Sequence, residues 1–201
     1  MKLMDIEAHP FRPFLPEEAG VLFLGSFPAT PNRWSMDFYY PNFANDFWRI
    51  IGLLFFGNPS HFEIRKGADE TRNRWDENEI RNFCSQTGIA LSDTAAEIRR
   101  LKGNASDSAL EIISQQDIRA LIDRLPCCRA VAATGALASE IVARQFSCVI
   151  PPVGGMVCGI SPDRGNLAFY RLPSTSRAFP MPLIKKAEFY RKLFLDIGYS
   201  V

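Results

Sequence analysis

Short, continuously apolar runs alternate along the chain with longer segments whose apolar residues recur at helical spacing. Val21-Leu22-Phe23-Leu24, closed by Gly25, is apolar throughout and predicts a strand covered on both faces, as in a parallel sheet. Ile89-Ala90-Leu91-Ser92-Asp93-Thr94 predicts a second strand and its exit. Ala130-Val131-Ala132-Ala133-Thr134-Gly135 predicts a third, and residues 166–173 a fourth. Residues 45–55 read as a helix, with Asn45 or Asp46 suited to cap it. Glu79–Thr87 reads as a helix ended by Gly88. Gln116–Leu125 places Ile118, Leu121, Ile122 and Leu125 on one face and stops at Pro126. Ala136–Phe146 and Pro182–Ile197 complete the helices. Pro10, Pro13 and Pro16 predict an extended lead-in over residues 9–16, and residues 28–43 a loop. Residues 57–78, with Arg65, Lys66, Arg72 and Arg74, predict a loop or a short helical insertion.

Strands alternating with helices predict an α/β fold: a three-layer α/β/α arrangement around a central four-stranded parallel sheet with right-handed crossovers. Ligands of such sheets bind beyond the carboxyl ends of the strands. That rule singles out four strand exits: Gly25–Pro28, Ser92–Thr94, Thr134–Gly135 and Pro173–Arg177.

The 201 residues fit a single domain over 1–201, and 47% hydrophobic with 22% charged residues is ordinary folded composition. Twenty-three Lys and Arg against 22 Asp and Glu give a net charge of +1, which excludes a polycation but not a local basic patch. The candidates for such a patch are Arg33, Lys102, Arg177, Lys185 and Lys186. The five cysteines form no Cys-x-x-Cys pair, and His9 and His61 stand apart, so no metal site is expected. No apolar run approaches the roughly 20 residues that span a bilayer. The first ten residues carry charge without an apolar core. A cytoplasmic monomer is therefore expected.

Three segments carry candidate chemistry. Gly25-Ser26-Phe27-Pro28 leaves the first strand, where glycine permits close backbone approach and proline fixes the turn. It matches neither a dinucleotide fingerprint nor a P-loop, and no Gly-x-Ser-x-Gly elbow surrounds Ser26. Residues 38–48 pack six aromatics into eleven positions, and those before the helix could stack a flat heterocycle. Ser174-Thr175-Ser176-Arg177 leaves the last strand with three hydroxyls and a cation suited to phosphate oxygens.

In this order the segments resemble the uracil-DNA glycosylase superfamily, most closely its mismatch-specific uracil and hypoxanthine-DNA glycosylase branches. Residues 21–28 look like its first motif and Tyr39-Tyr40-x4-Asn45-x-Phe47-Trp48 like the segment with the base-stacking aromatic. Ser92-Asp93-Thr94 with Gly103–Asp107 is similar to the middle segment of the hypoxanthine branch. Ala133-Thr134-Gly135 looks like its third strand exit, and Leu172–Ser176 like the second catalytic motif. The resemblance implies a monofunctional glycosylase that needs no metal or cofactor. Its partner would be double-stranded DNA containing a deaminated base, which it flips out and hydrolyses at the N-glycosidic bond.

Carried over residue by residue, the catalytic positions are Asn45, Ser26 and Phe27, and the base-binding positions are Gly25, Pro28, Tyr39 and Tyr40. Ser174, Thr175, Ser176 and Arg177 would hold DNA, with Phe179 and Met181 in the region that wedges into the duplex. Where the family usually has Asp or Asn before the proline, this chain has Phe27, as the hypoxanthine branch also lacks a carboxylate or amide there. Asn45 is then the group left to place the attacking water. Leu172 stands where the second motif often has His, and Ser176-Arg177-Ala178 departs from the hypoxanthine branch's continuation. Phe27 motivates an alternative, a weak or inactive homologue that binds DNA or a base-like ligand. An esterase using Ser26 or Ser174 is a third possibility, disfavoured because neither has a histidine near it in sequence.

Overall fold

The computed structural model describes residues 5–65, 73–101, 109–161 and 163–201. Its central sheet holds four parallel strands: β2 (Val21–Gly25), β5 (Ile89–Asp93), β8 (Ala130–Thr134) and β10 (Ala168–Leu172). All residues of β2, β5 and β8 are buried, so apolar side chains are needed on both faces. Alternate residues of β2 divide between two cores. Val21 and Phe23 face α1 (Phe47–Phe56), α2 (Glu77–Thr87) and α5 (Leu183–Asp196), where Phe47, Trp48, Tyr190 and Phe194 fill the space. Leu22 and Leu24 face α3 (Ile118–Asp123) and α4 (Ala136–Phe146), packed through Leu121, Ile141 and Phe146. This is a mixed α/β fold with helices on both faces of a parallel-rich sheet.

The expected count of four strands is corrected to five. The three-residue β9 (Met156–Cys158) pairs antiparallel with β10, giving the order β5-β2-β8-β10-β9. A strand that short, with Met156 and Cys158 exposed, has no apolar run to announce it; what defines it is the edge of β10 that it covers.

A second sheet was also not expected. β1 (Ile6–Ala8), β6 (Ala95–Arg100) and β7 (Leu110–Gln115) form an antiparallel sheet in the order β1-β6-β7. The extended lead-in over residues 9–16 thus follows a strand, and its Phe14 bridges Leu91 of β5. Among its described residues, the 57–78 region contains a short pairing of β3 (Glu63–Ile64) with β4 (Arg74–Trp75) and, at its end, the first residues of α2. Lys66, Arg72, Lys102 and residues 103–107 lie outside the described residues.

One buried ion pair ties the two ends of the fold together. The Lys186 side chain, expected on a basic surface, is fully buried; its Nζ donates to Asp46 Oδ2 at 2.8 Å and to the Ser176 carbonyl at 2.9 Å. The Asp46 amide donates to the Thr175 carbonyl at 2.9 Å. α1 and the turn after β10 are therefore fastened to each other through α5. Removing one partner of a buried pair strands the other charge. Lys186→Ala is expected to lower stability by about 3–5 kcal/mol in urea unfolding, whereas Lys185→Ala, on the exposed side of α5, should change it by less than about 0.5 kcal/mol.

Candidate functional site

The carboxyl ends of the parallel strands open into a cleft of about 560 Å³. Its floor is the junction of β2 and β5. The Thr94 amide and hydroxyl both donate to the Gly25 carbonyl, at 2.9 and 3.1 Å, and the Ala95 amide donates to the Ser26 carbonyl at 3.1 Å. These bonds hold the two strand exits so close that a Cβ on Gly25 would fall 2.4 Å from Asp93 Oδ1. Glycine is required there for space, since any side chain would displace the carboxylate.

Asp93 is buried and reaches the cleft wall. Its Oδ2 accepts from His9 Nε2 at 2.9 Å, and His9 Nδ1 lies 2.8 Å from the Phe11 carbonyl. Burial alone would lower the His9 pKa, but the hydrogen bond to Asp93 and its charge, with the Phe11 carbonyl, outweigh it and leave the pKa raised above 6.5. Both ring nitrogens of His9 are committed, so it cannot act as a base toward Ser26, and the esterase reading loses its one nearby histidine.

The second sheet braces the turn after β2. Arg100 of β6 is buried, pairs with Glu7 through Nε at 2.9 Å, donates from Nη2 to the Pro28 carbonyl at 2.9 Å, and carries its guanidinium 5.5 Å from the Phe27 ring centroid. The edge of the His9 ring meets Phe27 at 5.1 Å. Phe27 is therefore held between a cation and an imidazole while lining the cleft, and its backbone N–H has no acceptor among the described residues. Ser26 and Pro28 line the same wall.

Tyr40 and Tyr39, side by side in sequence, part company in the fold. Tyr40 adopts φ 53°, a left-handed conformation that is uncommon for a bulky residue and costs of order 1–3 kcal/mol. The strain is held by a ring stack on Phe47, centroids 3.8 Å apart, and by hydrogen bonding to Thr134. The Thr134 hydroxyl lies 3.0 Å from the Tyr40 hydroxyl and 3.3 Å from the Leu24 carbonyl. Burial, with the Asp93 charge adding to it, pushes the Tyr40 phenol well above its ordinary pKa. Tyr40 lines the cleft. Tyr39 does not: it is 1% exposed, lodged among His9, Phe11 and Phe38, with its carbonyl accepting from Trp48 Nε1. The expectation that Tyr39 could meet a base is corrected, because the left-handed turn at Tyr40 sends the two rings to different places.

Asn45 reaches the cleft from the loop before α1. Its Oδ1 accepts the Phe47 amide at 2.8 Å, so it also serves as a helix cap, and its side-chain NH2 is the end left to meet a ligand. Arg49 fixes its backbone, donating from Nη1 to the Asn45 and Phe43 carbonyls at 3.0 and 2.7 Å while its Nη2 pairs with Glu63 at 2.8 Å.

Across the cleft, Ser174 Oγ accepts from the Ser176 amide and Ser176 Oγ from the Ala178 amide, each at 3.2 Å. A hydroxyl that accepts from its own backbone keeps its O–H to donate outward, and a phosphate offers only acceptors. Thr175 lines the cleft between the two serines although only 2% of it is exposed, and its carbonyl seats α1. Arg177 stands exposed beside the cleft, 3.5 Å from Asp46, and Arg33 is exposed on the opposite lip.

The cleft thus brings together Gly25, Ser26, Phe27, Pro28, Tyr40 and Asn45 with the 174–176 turn. Sequence reasoning assigned no role to the Asp93 carboxylate or the Thr134 hydroxyl, although both end strands whose exits it singled out. A lone carboxylate closing the run Ile89-Ala90-Leu91-Ser92 was the available signal for the first. His9 and Arg100 gave no signal, because the β1-β6-β7 sheet that delivers them was not legible. Among the described residues no three His, Cys, Asp or Glu side chains gather as a metal site would require, and no helix is long and apolar enough to cross a membrane.

No protein-family model matches the chain, and no curated protein sequence matches it. A solution NMR structure from Methanosarcina acetivorans, described as a "putative Uracil DNA glycosylase", shares the fold with a TM-score of 0.62. The two chains are 21% identical, and the match covers 97% of this chain and 100% of that one.

The raised His9 pKa sets the sign of a pH effect. The protonated imidazole's contribution to folding is fully present below 6.5 and is lost as pH rises through the higher folded-state value. His9→Gln should therefore cost most stability at pH 6, about 1–3 kcal/mol for a hydrogen bond to a charged group, and less at pH 9. Urea unfolding of both proteins across that range measures the difference.

Proposed function

We propose that this protein is a monofunctional DNA glycosylase. It hydrolyses the N-glycosidic bond of a deaminated base, hypoxanthine or uracil, swung out of double-stranded DNA. The observation that carries the proposal is convergence: the 25–28 turn, the 40–45 segment and the 174–176 turn, far apart in sequence, line one cleft at the strand ends. The fold shared with the M. acetivorans structure, itself described as a "putative Uracil DNA glycosylase", supports the same reading.

A volume of about 560 Å³ suits a nucleoside-sized ligand. Extruding a base costs a few kcal/mol and is cheapest at a mispair. Within the cleft the base would lie against Tyr40 and Phe27, both already immobilised by their neighbours. Bond cleavage leaves negative charge on the departing base, which the Phe27 N–H would meet; donors fixed in advance toward developing charge are usually the largest catalytic contribution. The Asn45 side-chain amide would orient the attacking water. The Ser174 and Ser176 hydroxyls would donate to phosphates flanking the extruded nucleotide, with Arg177 and Arg33 supplying charge at the lips. With a net charge of +1, affinity would rest on these few contacts and fall with salt.

A panel of duplexes with each deaminated base opposite each partner, incubated with excess enzyme and then cleaved with alkali, tests this directly. Cleavage at hypoxanthine or uracil is expected, slowed about 100-fold or more in Asn45→Ala and in Tyr40→Ala. Intact substrates at stoichiometric enzyme would reject glycosylase activity, and tight lesion binding without cleavage would leave the protein as a binding homologue.

A further inference from the structure

β3 and β4 pair over only two residues each, Glu63 with Trp75 and Ile64 with Arg74. A two-stranded ribbon is marginal by itself, so one this short is held by what it packs on. Residues directly opposite in antiparallel strands place their side chains on one face. Here that face carries a carboxylate beside an indole, and both are buried: the Glu63 side chain is 7% exposed and Trp75 1%. What the two cover is Arg49 of α1.

Arg49 is itself buried, and its donors are divided between the hairpin and the cleft wall. Nη2 pairs with Glu63 at 2.8 Å. The guanidinium carbon stands 4.8 Å from the centroid of the Trp75 ring and 4.8 Å from that of Phe43, and the two rings are 4.7 Å apart, so cation and rings close a triangle. Nη1 reaches two main-chain carbonyls, Phe43 at 2.7 Å and Asn45 at 3.0 Å, one on each side of Ala44. The α1 ladder does not do this work, because the first bond across the helix start runs from the Ile50 amide to the Asp46 carbonyl, one residue beyond. Asn42 and Asn45 of the segment so held line the cleft. With its Oδ1 on the Phe47 amide and its carbonyl on Arg49, Asn45 is fixed at both ends and only its NH2 remains.

We infer that Arg49 is the positioning residue for the attacking water: it holds the main chain on both sides of Ala44 so that the Asn45 NH2 keeps its place in the cleft, and the β3–β4 hairpin supports that guanidinium through Glu63 and Trp75. The inference rests on the glycosylase reading of the cleft and adds to it a residue that touches neither base nor water. It also gives the 57–78 region a part in the chemistry, since the two residues that meet across its strands are the two that immobilise Arg49.

The test is single-turnover cleavage of a duplex carrying whichever of hypoxanthine or uracil the unmutated protein excises. Arg49→Lys keeps the charge but lacks the planar fork that serves Glu63 and the two carbonyls together. It is expected to lower the cleavage rate constant about 10- to 100-fold, the cost of a small misplacement of a reacting group. Affinity for the same duplex bearing the abasic product should change by less than about threefold, because no DNA contact is removed. The loss should vanish behind Asn45. Added to Asn45→Ala, Arg49→Lys should slow cleavage by less than about threefold, whereas added to Tyr40→Ala it should keep its full effect, since residues that act as a unit are not additive. Glu63→Gln, which keeps an acceptor at Arg49 without the charge, should show the same dependence on Asn45 with a smaller loss, about 3- to 10-fold. A residue that served only the fold would reduce the fraction of active protein, read as the amplitude, and leave the rate constant alone; Leu121→Ala, in the core on the other face of the sheet, should give that pattern. An unchanged rate constant in Arg49→Lys, a loss of equal size with and without Asn45, or binding weakened in step with cleavage would overturn the role of Arg49 while the glycosylase reading stands. Cleavage of neither base by the unmutated protein would overturn both.

Discussion

The ammonium of Lys186 joins two segments that lie 140 residues from it and 10 residues from it along the chain, Asp46 at the start of α1 and the Ser176 carbonyl in the turn after β10. Desolvating a lysine and an aspartate together costs several kcal/mol per ion before their attraction is counted, so the pair is a poor choice for stability alone. What it does is set position. With Asp46 fixed, Asn45 and the Tyr40–Phe47 stack stand on one side of the cleft. With Ser176 fixed, the hydroxyl turn stands on the other. The width of the cleft is thereby decided by a short charged contact rather than by loop packing.

The remaining walls follow from the same kind of economy. The β1-β6-β7 sheet sends Arg100 to the Pro28 carbonyl and His9 to Asp93, so the first strand exit is supported from outside the central sheet. The left-handed backbone at Tyr40 stores strain that Phe47 and Thr134 compensate, and it parts Tyr39 into the core from Tyr40 in the cleft. Rigid rings and committed hydrogen bonds leave few groups free to respond to a ligand. Those few are the Asn45 NH2, the Phe27 N–H and the Ser174 and Ser176 hydroxyls.

How much of this was legible in the sequence depended on whether a feature was local. The four parallel strands announced themselves because a strand buried on both faces is apolar along most of its length, with polar residues only at the exits, and the helices between them because one face must be. β9 could not be read: three residues with exposed ends carry no pattern, and the edge of β10 defines them. The antiparallel sheet was equally silent, since Ala95–Arg100 contains Ile98 among polar and small residues, and its partner strands are defined only by pairing. The cleft was legible where chemistry sat at a strand exit, as at Gly25, Tyr40, Asn45 and Ser174. It was hidden where a residue arrived from an unrecognised element, as His9 and Arg100 did, or where burial reversed an expectation. Lys186 looked like surface charge and is core.

The proposed function depends on one event, a nucleotide leaving the duplex and entering the strand-end cleft. The most direct measurement is a crystal structure of the protein with a duplex bearing 2′-fluoro-2′-deoxyinosine, whose fluorine slows bond cleavage so that the bound state persists. The account predicts the extruded base between Tyr40 and Phe27, and the flanking phosphates at Ser174 and Ser176. A complex in which the duplex lies elsewhere, or the base remains stacked in the helix with the cleft empty, would contradict it.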